Sequence, residues 1–187
     1  MSETMEKRDL TVDAKDRGLI VVFTGEGKGK TSAALGTAMR AAGHGMRIFI
    51  CFFMKGEYPY GERNTLNKIP NITVASFGQE EFVFPDRVKQ VEIDQAKQAL
   101  AACKEAVSSG KYDMVVMDEV NVAVAFNLIS AEEVIEVLQN KPQELEIILT
   151  GRKADPKIIA IADMVTEMLK IKHPYDNGMA ARKGIEF

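Results

Sequence analysis

Leu19-Ile20-Val21-Val22-Phe23-Thr24-Gly25-Glu26-Gly27-Lys28-Gly29-Lys30-Thr31 decides the fold, because an apolar, β-branched run passes directly into a loop of glycines and lysines. Ser32 to Ala42 then has the small-residue pattern of a helix, and Gly43 and Gly45 mark its exit. Strand, glycine loop and helix in that order are the setting of a phosphate-binding loop. Against the pattern G-x-x-x-x-G-K-[ST], Gly29, Lys30 and Thr31 fill the last three places, and Thr24 stands where the first glycine is usual. In such a loop successive backbone N–H groups face a polyphosphate, the helix adds its positive N-terminus, and glycines clear the approach. Lys30 is expected to meet phosphate oxygens, Thr31 a magnesium ion, and Lys28 to help neutralise a triphosphate. An ordinary glycine-rich turn has no need of such a crowd of glycines and lysines at one junction.

Outward from the loop, apolar strands alternate with helices. Ile48 to Phe53 reads as a second buried strand, Ile72-Thr73-Val74 as a third, and Arg87 to Ser109 as a long helix. Met114-Val115-Val116-Met117 is a fourth strand that stops at Asp118-Glu119. Ala131 to Leu138 follows as a helix, with Ser130 as N-cap and Glu133 completing a capping box. Leu145 to Leu149 is a fifth strand ending at Thr150-Gly151-Arg152; a helix near Pro156 to Ile161 and a strand near Met164 to Ile171 close the pattern. The expected fold class is α/β, a mostly parallel sheet with helices on both faces and ligands at the carboxyl ends of the strands. One domain over residues 18–187 is expected, after a polar segment 1–17 that reads as mobile.

Composition narrows the function. With 24 basic and 27 acidic residues the formal charge is −3, which argues against a general binder of nucleic acid or of membrane surfaces. Two cysteines, Cys51 and Cys103, have neither metal-ligand spacing nor the density of a disulfide framework, as suits a reducing cytoplasm. The charged first residues lack an apolar signal core, and no segment has the roughly 18 apolar residues of a membrane span.

Asp118 and Glu119 place two carboxylates at a strand tip, beside the expected phosphate loop. Hard oxygen ligands there suit magnesium, which needs only one or two carboxylates besides phosphates and water. Neighbours on a strand point to opposite faces, so one acid is expected to approach the metal while the other orients a water or a neighbouring group; spacing alone leaves open which. Acids that merely favour a helix start are the blander explanation. The loop Lys55-Gly56-Glu57-Tyr58-Pro59-Tyr60-Gly61-Glu62-Arg63 follows a strand end, which favours a substrate-facing loop at least as much as a plain surface one. Phe77 to Pro85 is rich in Phe, which is explained by helix-anchoring contacts, or by something large and flat or a partner that covers it. His44 reads as a helix cap, and His173 as a structural or surface residue. No Ser/His/Asp or Cys/His arrangement presents an activated nucleophile.

The order of motifs resembles the ATP:corrinoid adenosyltransferases of the P-loop type. The resemblance runs from about Gly18 to Phe187 through Val22 to Ala34, Gly43-His44-Gly45, Lys55-Gly56 with Gly61-Glu62-Arg63-Asn64, Val115 to Glu119, Thr150-Gly151-Arg152, and Lys172 to Asp176 with Gly184-Ile185-Glu186-Phe187. That family's Thr-Gly-x-Gly-Lys-Gly-Lys-Thr loop accounts for Thr24. The resemblance implies a RecA-like domain that moves the 5′-deoxyadenosyl group of ATP to Co(I) of a corrinoid, as in cob(I)yrinic acid a,c-diamide adenosyltransferases of adenosylcobalamin biosynthesis or salvage. Triphosphate would leave, and the nucleotide would lie reversed relative to ordinary P-loop enzymes.

By the same resemblance Thr24, Gly25, Glu26, Gly27, Lys28, Gly29, Lys30, Thr31, Ser32 and Arg152 bind ATP, and Thr31 with Asp118 or Glu119 serves Mg²⁺. Lys30 would act in catalysis. Aromatic residues of the family displace the corrinoid's lower axial ligand; Phe82 and Phe84 are their counterparts here, although the family often has Gly-Phe-Thr-Trp there and this chain has no Trp. A homodimer in the cytoplasm, supplied by a reductant such as a flavoprotein and bound to neither nucleic acid nor membrane, completes the implied picture. A P-loop ATPase or small-molecule kinase, with Asp118 or Glu119 activating water or a hydroxyl, is the alternative.

Overall fold

Apolar runs become the interior of one sheet because helices cover both of its faces. The computed structural model describes residues 17–56 and 60–187; the expectation for residues 1–16, and the middle of the loop after the second strand, lie outside the described residues. Strands β1 (Ile20–Thr24), β2 (Ile48–Phe52), β3 (Ile72–Ser76), β4 (Met114–Asp118), β5 (Glu146–Thr150) and β6 (Met164–Glu167) lie in the order β3-β2-β4-β5-β1-β6. Every pairing among them is parallel, so the mostly parallel sheet expected from the sequence is wholly parallel among the described residues.

Alternation along each strand sorts the core into two layers. Val21, Ile48, Ile50, Met114, Val116 and Ile148 face the helix α1 (Lys30–Gly43), whose Ala34, Leu35, Ala38 and Ala41 are buried against them. Val22, Cys51, Val115, Met117, Ile147 and Leu149 face the opposite way. There they meet α3 (Gln90–Ser108), α4 (Val120–Ala125) and α5 (Ala131–Gln139), with α6 (Pro156–Ile161) alongside. Each fully buried aliphatic side chain contributes roughly 1.5–3 kcal/mol, so the strand positions hardly tolerate polar residues.

Local signals account for most helix limits. Ser130 Oγ accepts the Glu133 N–H at 3.2 Å while Glu133 accepts the Ser130 N–H at 2.7 Å, the expected capping box. Helix α3 starts three residues later than Arg87, where the Glu92 carboxylate accepts the Lys89 N–H at 2.7 Å. Two short helices, α2 (Gly61–Leu66) and α4, were not legible as helices. The second is Val-Asn-Val-Ala-Val-Ala, a strand-like composition bent into a helical turn by its place under the sheet. His44 caps α1, its N–H donating to the Ala41 carbonyl at 3.0 Å.

Strand β6 is shorter than Met164 to Ile171. Met168 N–H still reaches Thr24 O at 2.9 Å, but the Met168 carbonyl then turns to the glycine loop and the ladder ends. Among the described residues no helix is long and apolar enough to cross a membrane.

Candidate active site

The glycine loop leaves β1 and enters α1 at the carboxyl edge of the sheet. Thr24 is buried, and its Oγ1 accepts the Ala154 N–H at 3.2 Å, tying the start of the loop to the segment after β5. A first-position glycine offers no such tie. Gly27 N–H donates to Met168 O at 2.6 Å. A Cβ on Gly27 would sit 2.6 Å from the carbonyl oxygens of Met168 and Leu169, and one on Gly25 2.5 Å from Met168 O. These two glycines therefore admit the chain that crosses behind the loop. At the helix start, Lys30 is buried, with Nζ donating to Gly25 O at 2.8 Å and Gly27 O at 2.6 Å. Burial, then the neighbouring Arg152, pushes its pKa below the ordinary lysine value.

Asp118 ends β4 with no exposed surface. Its Oδ1 accepts the Thr150 hydroxyl at 2.7 Å, and its Oδ2 accepts Lys55 Nζ at 2.6 Å. Thr150 Oγ1 in turn accepts the Glu119 N–H at 2.9 Å. Burial works against the charge of Lys55, yet Asp118 and then Glu119 hold its pKa above the usual lysine value. The ammonium lies 5.4 Å from the Phe52 ring centre and 5.2 Å from that of Tyr60, where the ring faces favour a cation. Arg63, at the head of α2, braces this turn by donating to the Lys55 and Gly56 carbonyls.

Glu119 is differently placed. Its φ of 63° turns the chain off β4 into α4, so the simple alternation of neighbours on a strand does not apply to it. Its Oε2 is buried with no hydrogen-bond partner among the described residues. Burial, then the adjacent Asp118, raises its pKa above the usual carboxylate range. A buried acceptor without a partner is costly unless a ligand completes it.

These parts border one cleft of about 580 Å³. Gly27 to Ser32 form its floor with Leu35; Lys55, Tyr60, Gly61 and Glu62 form one wall, and Glu119 and Arg152 another. His173 and the stretch from Gly184 to Phe187 close the remaining side.

Residues 16–187 match the family of ATP:corrinoid adenosyltransferases BtuR/CobO/CobP. The chain belongs to that family. It is 37% identical over 184 residues to a corrinoid adenosyltransferase of Escherichia coli K12, covering 97% of this chain and 93% of that protein. The corrinoid adenosyltransferase CobA of Salmonella typhimurium is 37% identical over 173 residues, 92% of this chain and 87% of its own. That of Pseudomonas aeruginosa is 34% identical over 191 residues, 99% and 94% respectively. Among solved structures, the flagellar accessory protein FlaH of Methanocaldococcus jannaschii superposes with a TM-score of 0.56 at 16% identity, covering 81% of this chain and 71% of that one. That likeness is one of fold.

Within this adenosyltransferase-family chain, the cleft gathers Gly27, Lys28, Gly29, Lys30, Thr31 and Ser32 with Glu119 and Arg152. Thr24, Gly25 and Glu26 stand outside the lining; Glu26 pairs with Arg152 at 3.2 Å. Asp118 lies behind the cleft, engaged by Thr150 and Lys55. Phe82 and Phe84 are not brought to it: they sit 79% and 47% exposed on the loop after β3, with the Arg87 guanidinium 4.5 Å from the Phe84 ring centre. Lys55, Tyr60 and Glu186 line the cleft without an individual role expected from the sequence, and His173, expected to be structural or on the surface, lines it as well. Lys55, Glu186 and His173 do fall within motif blocks that resemble the family, which was the available signal.

Proposed function

We propose that ATP lies in this cleft with its triphosphate over Gly27 to Ser32, and that the chain directs its 5′ carbon toward Co(I) of a corrinoid. Cobalt supplies the electron pair for the new Co–C bond, the C5′–O bond breaks, and triphosphate leaves with that bond's electrons. The protein then needs no nucleophile of its own; it aligns the two substrates and stabilises the leaving charge. Lys30, Lys28, Lys55 and Arg152 supply the cations. The observation that carries this reading is family membership along residues 16–187, joined to a cleft in which those cations converge.

The residues fit magnesium. Glu119 has a buried carboxylate oxygen without a partner among the described residues, and Thr31 stands on the same cleft; with phosphate oxygens and water they make the hard oxygen set that magnesium takes. We assign Glu119 and Thr31 as its protein ligands, and Asp118 as the group that holds Lys55 from behind. Bound there, magnesium would neutralise charge on the triphosphate. Phe82, the most exposed phenylalanine of its loop, is the residue offered to the corrinoid's lower face, with Phe84 beside it. A homodimer in the cytoplasm, fed by a reductant such as a flavoprotein, rests on likeness to the family.

Incubation with ATP, magnesium and chemically reduced cobalamin is expected to yield a light-sensitive alkylcobalamin and triphosphate. ADP and phosphate without alkylcobalamin would overturn the reading in favour of a P-loop ATPase or kinase. Lys30→Ala is expected to abolish the transfer; a normal rate would show that the loop assignment is wrong.

A further inference from the structure

Lys28, in the glycine loop, is held from the far end of the sequence. Its Nζ donates to the Ile185 carbonyl at 3.1 Å and to Glu186 Oε1 at 2.8 Å. An ammonium has three donors, so one remains for an anion in the cleft that Lys28 and residues 184–187 both line. The holding carboxylate is itself fixed without Lys28. Glu186 Oε2 accepts the Arg182 backbone N–H at 2.7 Å and Arg182 Nε at 3.2 Å, and Oε1 accepts Arg182 Nη2 at 3.1 Å. Gly184 N–H closes the same turn on Phe187 O at 2.7 Å.

We propose that residues 182–187 are a built wall of the nucleotide cleft, and that Glu186 is a positioning residue that aims the Lys28 ammonium at the triphosphate. The inference rests on the reading of the cleft as the ATP site and adds to it a residue distant in sequence. A lysine on a glycine-rich loop has many rotamers, and fixing it before the ligand arrives removes that entropy loss from binding. The contact is half exposed, with Lys28 at 45% and Glu186 at 24%, so its effect is modest, about two- to fivefold in affinity. A competing role, in which Glu186 occupies Lys28 and blocks triphosphate, predicts the opposite sign.

Calorimetric titration of the full chain with ATP and with tripolyphosphate tests this, alongside KM and kcat for each substrate. Glu186→Gln is expected to weaken both ligands about two- to fivefold and to raise KM for ATP while KM for the reduced corrinoid stays unchanged. Lys28→Gln is expected to weaken both ligands as well, and adding Glu186→Gln to it should cost nothing more. Unchanged or tighter binding in Glu186→Gln, or losses that add in the double variant, would overturn the proposal while leaving the ATP site intact. Wild-type protein that binds neither ligand would overturn the ATP reading and this inference together.

Discussion

Thr150 and Asp118 face each other from adjacent strands: the Thr150 hydroxyl donates to Asp118 Oδ1 at 2.7 Å, and Thr150 Oγ1 accepts the Glu119 N–H at 2.9 Å. One hydroxyl on β5 thereby fixes both acids at the end of β4. Thr150→Val keeps the shape and removes both bonds, leaving a buried carboxylate oxygen and a partly buried N–H without these partners. A loss of about 1–3 kcal/mol in urea unfolding is expected, together with a fall in adenosyl transfer. Wild-type values in both would show that the acids do not depend on this hydroxyl.

Lys55 balances a carboxylate that has no contact with water. Lys55→Met leaves the Asp118 charge buried and alone, which costs about 3–5 kcal/mol. Lys55→Met with Asp118→Asn should recover part of that stability, since the charge that lacked a partner is gone. Chemical denaturation of the two variants beside the wild type reads this directly, and a Lys55→Met protein as stable as the wild type would contradict the pairing.

Glycine is required by close approach at position 27 and by nothing comparable at position 36. In Gly27→Ala the new methyl meets two carbonyl oxygens at 2.6 Å, so the loop and the chain after β6 must part, at about 1–3 kcal/mol and with weaker ATP binding. Gly36 lies exposed within α1 with nothing near its added Cβ. Gly36→Ala is expected to raise stability by about 0.5–1 kcal/mol through helix propensity. Thermal unfolding separates the two; equal effects would sink the contrast.

The Arg182 side chain and then Lys28 hold the Glu186 carboxyl at about 2. A carboxyl lowered by folding contributes above its ordinary value, and the contribution fades as pH falls toward about 2. The affinity difference between wild type and Glu186→Gln should therefore persist from neutral pH down to about pH 4, where an ordinary glutamate is already more than half protonated. A difference already lost at about pH 4, followed by calorimetry, would mean that Glu186 is not held by these cations.

Much of the fold was legible because its causes are local. Val21 and Val22 belong to a run apolar at every position, which only a strand covered on both faces tolerates, and Ser130 with Glu133 closes a box within four residues. The glycine loop carried its motif, and the later blocks carried the family. The short helix Val120–Ala125 was not legible, since its composition favours a strand and packing overrode it. Phe82 and Phe84 stood out by type, but their distance from the cleft depends on where the loop after β3 turns.

The sequence by itself determined an α/β chain with a phosphate loop, two acids at a strand tip and the motifs of a corrinoid adenosyltransferase. Only the tertiary structure decided that Asp118 is engaged by Thr150 and Lys55, that one Glu119 oxygen has no partner among the described residues, and that Glu186 reaches Lys28 across 158 positions. The reason is physical: propensity and periodicity act between near neighbours, and a hydrogen-bond partner far along the chain is chosen by the order in which the strands assemble.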